Sequence, residues 1–151
     1  MKIYIGADHQ GYDLKDDVFA YLAKRGYEVE HVGEAQLDPS DDFPIFAQAV
    51  SLRVLGSDDR DPRGILICGG GQGMAMAANR FRGIRAGVVW DAHEAKMVRN
   101  DLDSNILCLP ARIFKDADSA GWEGIVETWL STPFAAAARF RRRNAEMDEL
   151  S

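Results

Sequence analysis

No stretch of this 151-residue chain is long and apolar enough to cross a membrane, and the apolar run in Met1-Lys2-Ile3-Tyr4-Ile5-Gly6 is far too short for a secretory leader. Cysteine is scarce. Cys68 and Cys108 are too few for a disulfide framework and match no metal-ligand spacing, so a reducing cytoplasm is the expected compartment and no metal is expected. Positive charge is in the minority: 18 Lys and Arg stand against 24 Asp and Glu, a net charge of −6. Such a surface as a whole repels nucleic acid and anionic membranes, and an anionic ligand must meet a local basic cluster. Internal repeats and low-complexity segments are absent. What remains, 46% hydrophobic and 28% charged, has the balance of a globular protein, and the length suits one domain over residues 1–151.

Short apolar runs alternate with helical spacings along the chain. Residues 2–6 and 27–32 read as strands flanking a helix over 12–25, whose apolar positions are Leu14, Val18, Tyr21 and Leu22 and whose stop is Gly26. A polar loop over 33–43 precedes a helix opened by Pro44 and running to about Leu55. Strands follow at 64–68, 84–90 and 105–109, with helices at 74–78 and 92–100 between them. Two helices, about 117–131 and 134–149, close the chain around Ser131-Thr132-Pro133. Trp90, Trp122 and Trp129 fall on apolar faces and are assigned to core or subunit contact. Five strands separated by helices predict a parallel α/β sheet covered on both faces, with ligands at the carboxyl ends of the strands. Asp8-His9, the Cys68 loop and Arg112 then share one rim.

The most informative stretch is Gly64-Ile65-Leu66-Ile67-Cys68-Gly69-Gly70-Gly71-Gln72-Gly73-Met74, which runs from a buried strand through a thiol into a glycine loop and a helix. Its glycines permit positive φ and close backbone approach, and the amides opening the next helix suit an anion or a developing oxyanion. A thiol at the edge of such a field is a candidate base or nucleophile; a buried cysteine beside an ordinary turn is the other reading. G-x-G-x-x-G fails in both registers, because Met74 and Met76 stand where the last glycine belongs, and no Lys-Ser/Thr completes a Walker loop. One small phosphate or an enolate fits better than a nucleotide. Asp8-His9 after the first strand is either a capping pair or a carboxylate and imidazole that bind hydroxyls and an anion or move a proton. In Arg139-Phe140-Arg141-Arg142-Arg143, Arg139 and Arg143 lie four apart on one helix face, in the densest positive cluster of an acidic chain. Either it is a solvated basic face, or its guanidinium forks suit phosphate; four arginines without an aromatic stripe argue against nucleic acid.

Together, Ile5-Gly6-Ala7-Asp8-His9-Gln10-Gly11, Asp42-Phe43-Pro44, the Cys68 loop, Ala77-Ala78-Asn79, Gly83-Ile84-Arg85-Ala86, Asn105-Ile106-Leu107-Cys108-Leu109 and Ala111-Arg112 resemble the type B ribose-5-phosphate isomerase/LacAB sugar-phosphate isomerase family, over nearly the whole chain. The resemblance implies a cofactor-free, metal-free aldose–ketose isomerase on a three-layer α/β/α Rossmann-like fold with a five-stranded parallel sheet. It also implies a homodimer or dimer of dimers with shared active sites, in which the C-terminal helix packs on the partner subunit. Cys68 is then the base working through a cis-enediol, the amides of Gly69, Gly70, Gly71, Gln72 and Gly73 hold the enediolate, and Asp8 binds and shuttles hydroxyl protons. His9, Arg112, Arg139 and Arg143 match phosphate-binding positions, the C-terminal arginines arriving from the neighbour. Asn79 has a structural role.

Four positions depart from the family pattern. Asp101 stands where the ring-opening His is usual and Leu102 replaces its polar neighbour; Phe43 replaces a Tyr; Gly70 replaces a Thr or Ser. These changes bring a tetrose 4-phosphate, which stays open-chain, into consideration as substrate beside ribose 5-phosphate. Asp101 or His93 is the candidate ring opener if one is needed. Two alternatives stand beside the isomerase: a non-catalytic sugar-phosphate binder, and one subunit of a hetero-oligomeric galactose-6-phosphate-type enzyme.

Overall fold

A computed structural model describes residues 1–33, 36–115 and 121–150. Five parallel strands, β1 (Lys2–Ala7), β2 (Glu28–His31), β3 (Arg63–Cys68), β4 (Ala86–Val88) and β5 (Ile106–Pro110), pair in the order β2-β1-β3-β5-β4. The helices are α1 (Tyr12–Lys24), α2 (Phe43–Leu55), α3 (Gln72–Ala78), α4 (Ala92–Leu102), α5 (Trp122–Ser131) and α6 (Ala138–Asp148). A short 3₁₀ turn, Ala111–Phe114, follows β5.

The continuous apolar runs of β1, β3 and β5 make sense only in a sheet covered twice, because successive side chains leave on opposite faces. Ile3, Ile5, Ile65, Ile67, Leu107 and Leu109 pack with Leu14, Val18 and Leu22 of α1, Ala95 of α4 and Ile125, Val126 and Trp129 of α5. Tyr4, Leu66, Cys68, Ile106 and Cys108 pack on the other side with Phe46, Val50 and Val54 of α2 and Met74 and Ala78 of α3. Each fully buried Ile or Leu contributes about 1.5–3 kcal/mol, so these two layers carry the stability of the fold. The expected three-layer α/β/α architecture with a five-stranded parallel sheet is therefore the one observed.

Three expectations are corrected. The fourth strand is Ala86–Val88, not 84–90, since as an edge strand it pairs only with β5, over Ala86↔Ile106 to Val88↔Cys108. Asn79 fixes that edge from α3, donating to the Ala86 carbonyl (2.9 Å) and accepting from its N–H (2.8 Å). Beyond the strand, Trp90 is 54% exposed, which leaves subunit contact of its two assignments, whereas Trp129 is fully buried and Trp122 packs edge-on against Tyr21. The helix expected over 92–100 runs on to Leu102, capped by the Asp91 carboxylate at its start and by Asp103 at φ 51° at its end. The last helix begins at Ala138 rather than 134, because Ala136 sits at φ 53°, outside the right-handed helical region, while Ala135 N–H bonds the Asn100 carbonyl (3.0 Å). The helix predicted from 117 has residues 117–120 outside the described residues, as are 34–35 of the 33–43 loop.

Candidate active site

β2 lies on one side of β1 and β3 on the other, so the chain switches direction between β1 and β3, and the crevice at their carboxyl ends is where an open α/β sheet binds ligands. Asp8 directly follows β1 and Cys68 ends β3. The two ends are tied by a bond from Asp8 N–H to the Ile67 carbonyl (3.2 Å).

Asp8 is 6% exposed, and its Oδ1 accepts the N–H groups of Gln10 (2.9 Å) and Gly11 (3.1 Å). Burial nevertheless dominates and pushes its carboxyl above the ordinary value, against the pull of those two bonds. A carboxyl so placed is suited to exchanging protons with a substrate hydroxyl. The approach is tight: a Cβ at Gly11 would lie 2.4 Å from the Ile67 carbonyl oxygen.

Cys68 Sγ accepts the Gly71 N–H at 3.1 Å, and Gly71, at φ 77°, is the left-handed turn from which α3 starts. The loop thus folds back over the sulfur. Cys108 is on the same sheet face but fully buried, and burial, with Cys68 adding to it, pushes its thiol far up. Of the two thiols, Cys68 is the one at the rim.

Arg112 closes the loop from β5. Its N–H bonds the Gly69 carbonyl (3.0 Å) and its Nη2 donates to Gln10 Oε1 (3.1 Å). A Cβ at Gly69 would stand 2.0 Å from that Gln10 oxygen and 2.8 Å from Arg112 Nε, so position 69 must be glycine for Arg112 to sit where it does. Phe43 at the start of α2 packs its ring where a side chain on Gly73 would be (2.9 Å). At Gly70 the vacant space is filled by Gln72, whose Oε1 is 2.2 Å from the position of an added Cβ. A side chain at position 70 therefore requires the exposed Gln72 side chain to turn away, a link between the two positions that sequence reading missed.

His9 donates its N–H to Asp41 Oδ1 (3.1 Å), and its Nδ1 lies 2.7 Å from the same oxygen. That hydrogen bond, with Asp8 and Asp38 nearby, raises the imidazole above its ordinary value. Gln10 and Asp41 are thus additional members of the site. Gln10 had a signal in its place within Asp8-His9-Gln10-Gly11; Asp41 had none in a loop full of acids.

The structure therefore gathers Asp8, His9, Phe43, Cys68, Gly69, Gly70, Gly71, Gln72, Gly73 and Arg112 on one rim. The rest lie apart. Asp101, in the last turn of α4, accepts the Asn100 amide (2.7 Å) and lines a cavity of about 250 Å³ with Val88, Phe140 and Arg143. Arg139 lies over the Phe140 ring (4.6 Å), and both arginines are exposed. Among the described residues no hydrogen bond, ion pair or ring contact links Asp101, Arg139 or Arg143 to Cys68. The inner face of α6 is seated on its own chain, with Phe140 buried and Asn144 donating to the Leu102 carbonyl (3.1 Å). Among the described residues no group of three or more His, Cys, Asp or Glu side chains is arranged to hold a metal.

Residues 3–147 of the chain match the ribose/galactose isomerase family. The chain belongs to this family. Among its members, a ribose-5-phosphate isomerase B from Thermotoga maritima superposes with a TM-score of 0.89 at 42% identity, covering 99% of this chain and 98% of that one. A ribose-5-phosphate isomerase B from Mycoplasma genitalium with bound ribulose-5-phosphate gives 0.86 at 32% identity, over 98% and 94%. The Escherichia coli ribose-5-phosphate isomerase B is 36% identical over 147 residues, 95% of this chain and 93% of that relative. No helix among the described residues is long and apolar enough to cross a membrane.

Proposed function

We propose that this protein is an aldose–ketose isomerase acting on a phosphorylated sugar, with Cys68 as the base. The observation that carries the reading is the Cys68 sulfur, wrapped by the glycine loop at the end of β3 beside the buried Asp8 at the end of β1. The Cys68 thiolate removes the C2 proton of the aldose, leaving the electron pair in a cis-enediolate whose oxygen is held by the amides of residues 69–73. Asp8 passes the hydroxyl proton from O2 to O1, and the thiol returns its proton to C1 to give the ketose. His9 and Arg112 grip the phosphate. Arg139 and Arg143 complete the grip from a second copy of the chain, in keeping with their exposure and distance from their own Cys68. The exposed apolar side chains of α2 and α3, Ile45, Leu52 and Met76, suit such a subunit contact in a cytoplasmic homodimer.

Solvent deuterium uptake at C2 of ribose 5-phosphate is the test. Cys68→Ser is expected to reduce exchange by at least about 10³-fold while leaving inorganic phosphate binding within about twofold, since the thiol is the base and the cations are the grip. An unchanged exchange rate overturns Cys68 as base, and wild-type binding without exchange favours a sugar-phosphate binder. Activity that appears only with a second related chain favours the hetero-oligomeric reading.

A second substrate reading is favoured by Asp101 and Leu102. A pentose phosphate must open its ring before C2 can lose a proton. A tetrose 4-phosphate has its only five-ring-forming hydroxyl esterified, so it needs no ring opener. With Asp101 in place of the usual His, a tetrose phosphate is turned over more efficiently than ribose 5-phosphate. Comparing kcat/KM for four-, five- and six-carbon phosphosugars decides it; equal or better turnover of the pentose assigns ring opening to Asp101 or His93, which Asp101→Asn and His93→Ala separate.

A further inference from the structure

One oxygen of Asp41 holds two groups of His9. It accepts the main-chain N–H at 3.1 Å and stands 2.7 Å from Nδ1. A carboxylate oxygen only accepts, so Nδ1 is the protonated nitrogen, and the second bond, to the main chain, prevents the ring from swinging away with its loop. Nε2 is then the nitrogen left for a ligand. The Asp41 side chain is 12% exposed and that of His9 31%, so the carboxylate is at the back of the pair and the ring at the front. The acidic groups that act on the ring are Asp41 and Asp38 from the loop before α2 and Asp8 from the end of β1, and all three favour the imidazolium against its partial desolvation. One residue further on, Gln10 holds Arg112 through its side chain at 3.1 Å. The His9 imidazole and the Arg112 guanidinium thus each meet a polar partner from another segment, Asp41 of the loop before α2 and Gln10 of the turn after β1.

We propose that Asp41 is a positioning residue for substrate phosphate: it fixes His9 as an imidazolium with Nε2–H directed at the phosphate, beside the guanidinium of Arg112. This role rests on the isomerase reading above. The competing possibility is that the contact merely ties the loop before α2 to the end of β1. The two differ in their dependence on pH. A tie acts equally at every pH, whereas a cationic grip holds below the raised folded pKa of His9 and is lost as pH rises through it.

Asp41→Asn keeps the acceptor oxygen and removes the charge; Asp41→Glu keeps the charge. Three measurements on each variant and the wild type decide the matter: the NMR titration of His9, the affinity for inorganic phosphate, and KM and kcat for ribose 5-phosphate across pH. Asp41→Asn is expected to move the His9 titration to lower pH and to raise KM about tenfold at a pH between the measured titrations of variant and wild type, the loss of one charge-assisted hydrogen bond, with kcat within about twofold. Below the new titration the variant should match the wild type, and Asp41→Glu should restore the wild-type profile. An unmoved His9 titration, or a KM increase that is equal at all pH and accompanied by a lowered melting temperature, overturns the proposal. A wild type that turns over no sugar phosphate sinks the isomerase reading instead; the His9 titration and phosphate affinity then still decide the role of Asp41.

Discussion

Asp8 carries a conflict between stability and chemistry. Its carboxyl is buried, and burial holds its pKa above the ordinary 3.8 in the folded state. Between 3.8 and the raised folded value the native protein holds a proton that the unfolded chain has released, so stability falls as pH rises through that window and remains lower above it. Asn is neutral throughout and offers the same oxygen to the N–H groups of Gln10 and Gly11. Asp8→Asn should therefore melt at a higher temperature than the wild type at neutral pH, with the gain disappearing near pH 3, and should lose about 10²–10⁴-fold in kcat. Thermal denaturation at the two pH values, with an isomerase assay at neutral pH, checks both halves. An acid at the end of a strand was legible as a candidate from Asp8-His9 alone. That it is buried was not, because burial depends on how closely the end of β3 approaches.

That approach belongs to the corner where β1 passes into α1. Gly11 lies there with no room for a side chain, a Cβ being placed 2.4 Å from the Ile67 carbonyl oxygen and 2.8 Å from Ile67 Cγ2. Neither neighbour can yield cheaply: one is backbone in the middle of the sheet and the other a fully buried core residue. Gly11→Ala should cost about 2–4 kcal/mol, within the range of overpacked or strained core positions, and should weaken the link between β1 and β3 that sets Asp8 beside Cys68. Urea denaturation measures the first and kcat the second. Gly26, though at φ 84°, has open space around it, so Gly26→Ala should act through backbone strain alone and leave kcat unchanged. The same contrast explains what could be read in advance. The helix and strand positions follow from local spacing and came out close to observed; of the boundaries that moved, that of β4 follows from its single partner β5, and those of α4 and α6 from residues at positive φ beside them, Asp103 and Ala136.

On the proposed arrangement, the phosphate grip of Arg139 and Arg143 and the proposed base Cys68 come from different copies of the chain. Two inactive variants, Cys68→Ser in one chain and Arg139→Ala/Arg143→Ala in the other, should then rebuild one intact site in each mixed dimer. Random exchange of subunits would recover roughly a quarter of wild-type activity, since half of the dimers are mixed and half of their sites are whole. Denaturing and refolding the two together, followed by assay, measures it; no recovery, with dimers confirmed by sedimentation, would place both arginines in their own chain's site or outside catalysis.

Local pattern alone carries far in this protein. Period-2 burial in apolar runs and 3.6-period faces arise from covalent geometry, and a glycine-rich turn after a buried strand needs no distant partner to be recognised; hence the α/β sheet, the Cys68 loop and the family were all legible in the chain. The strand order β2-β1-β3-β5-β4, the burial of Asp8, and the pairs that set the two cations were not. His9 meets Asp41 32 residues away and Gln10 meets Arg112 102 residues away. Such partners are selected by the packing of whole layers, which brings together segments whose sequences contain no mark of one another.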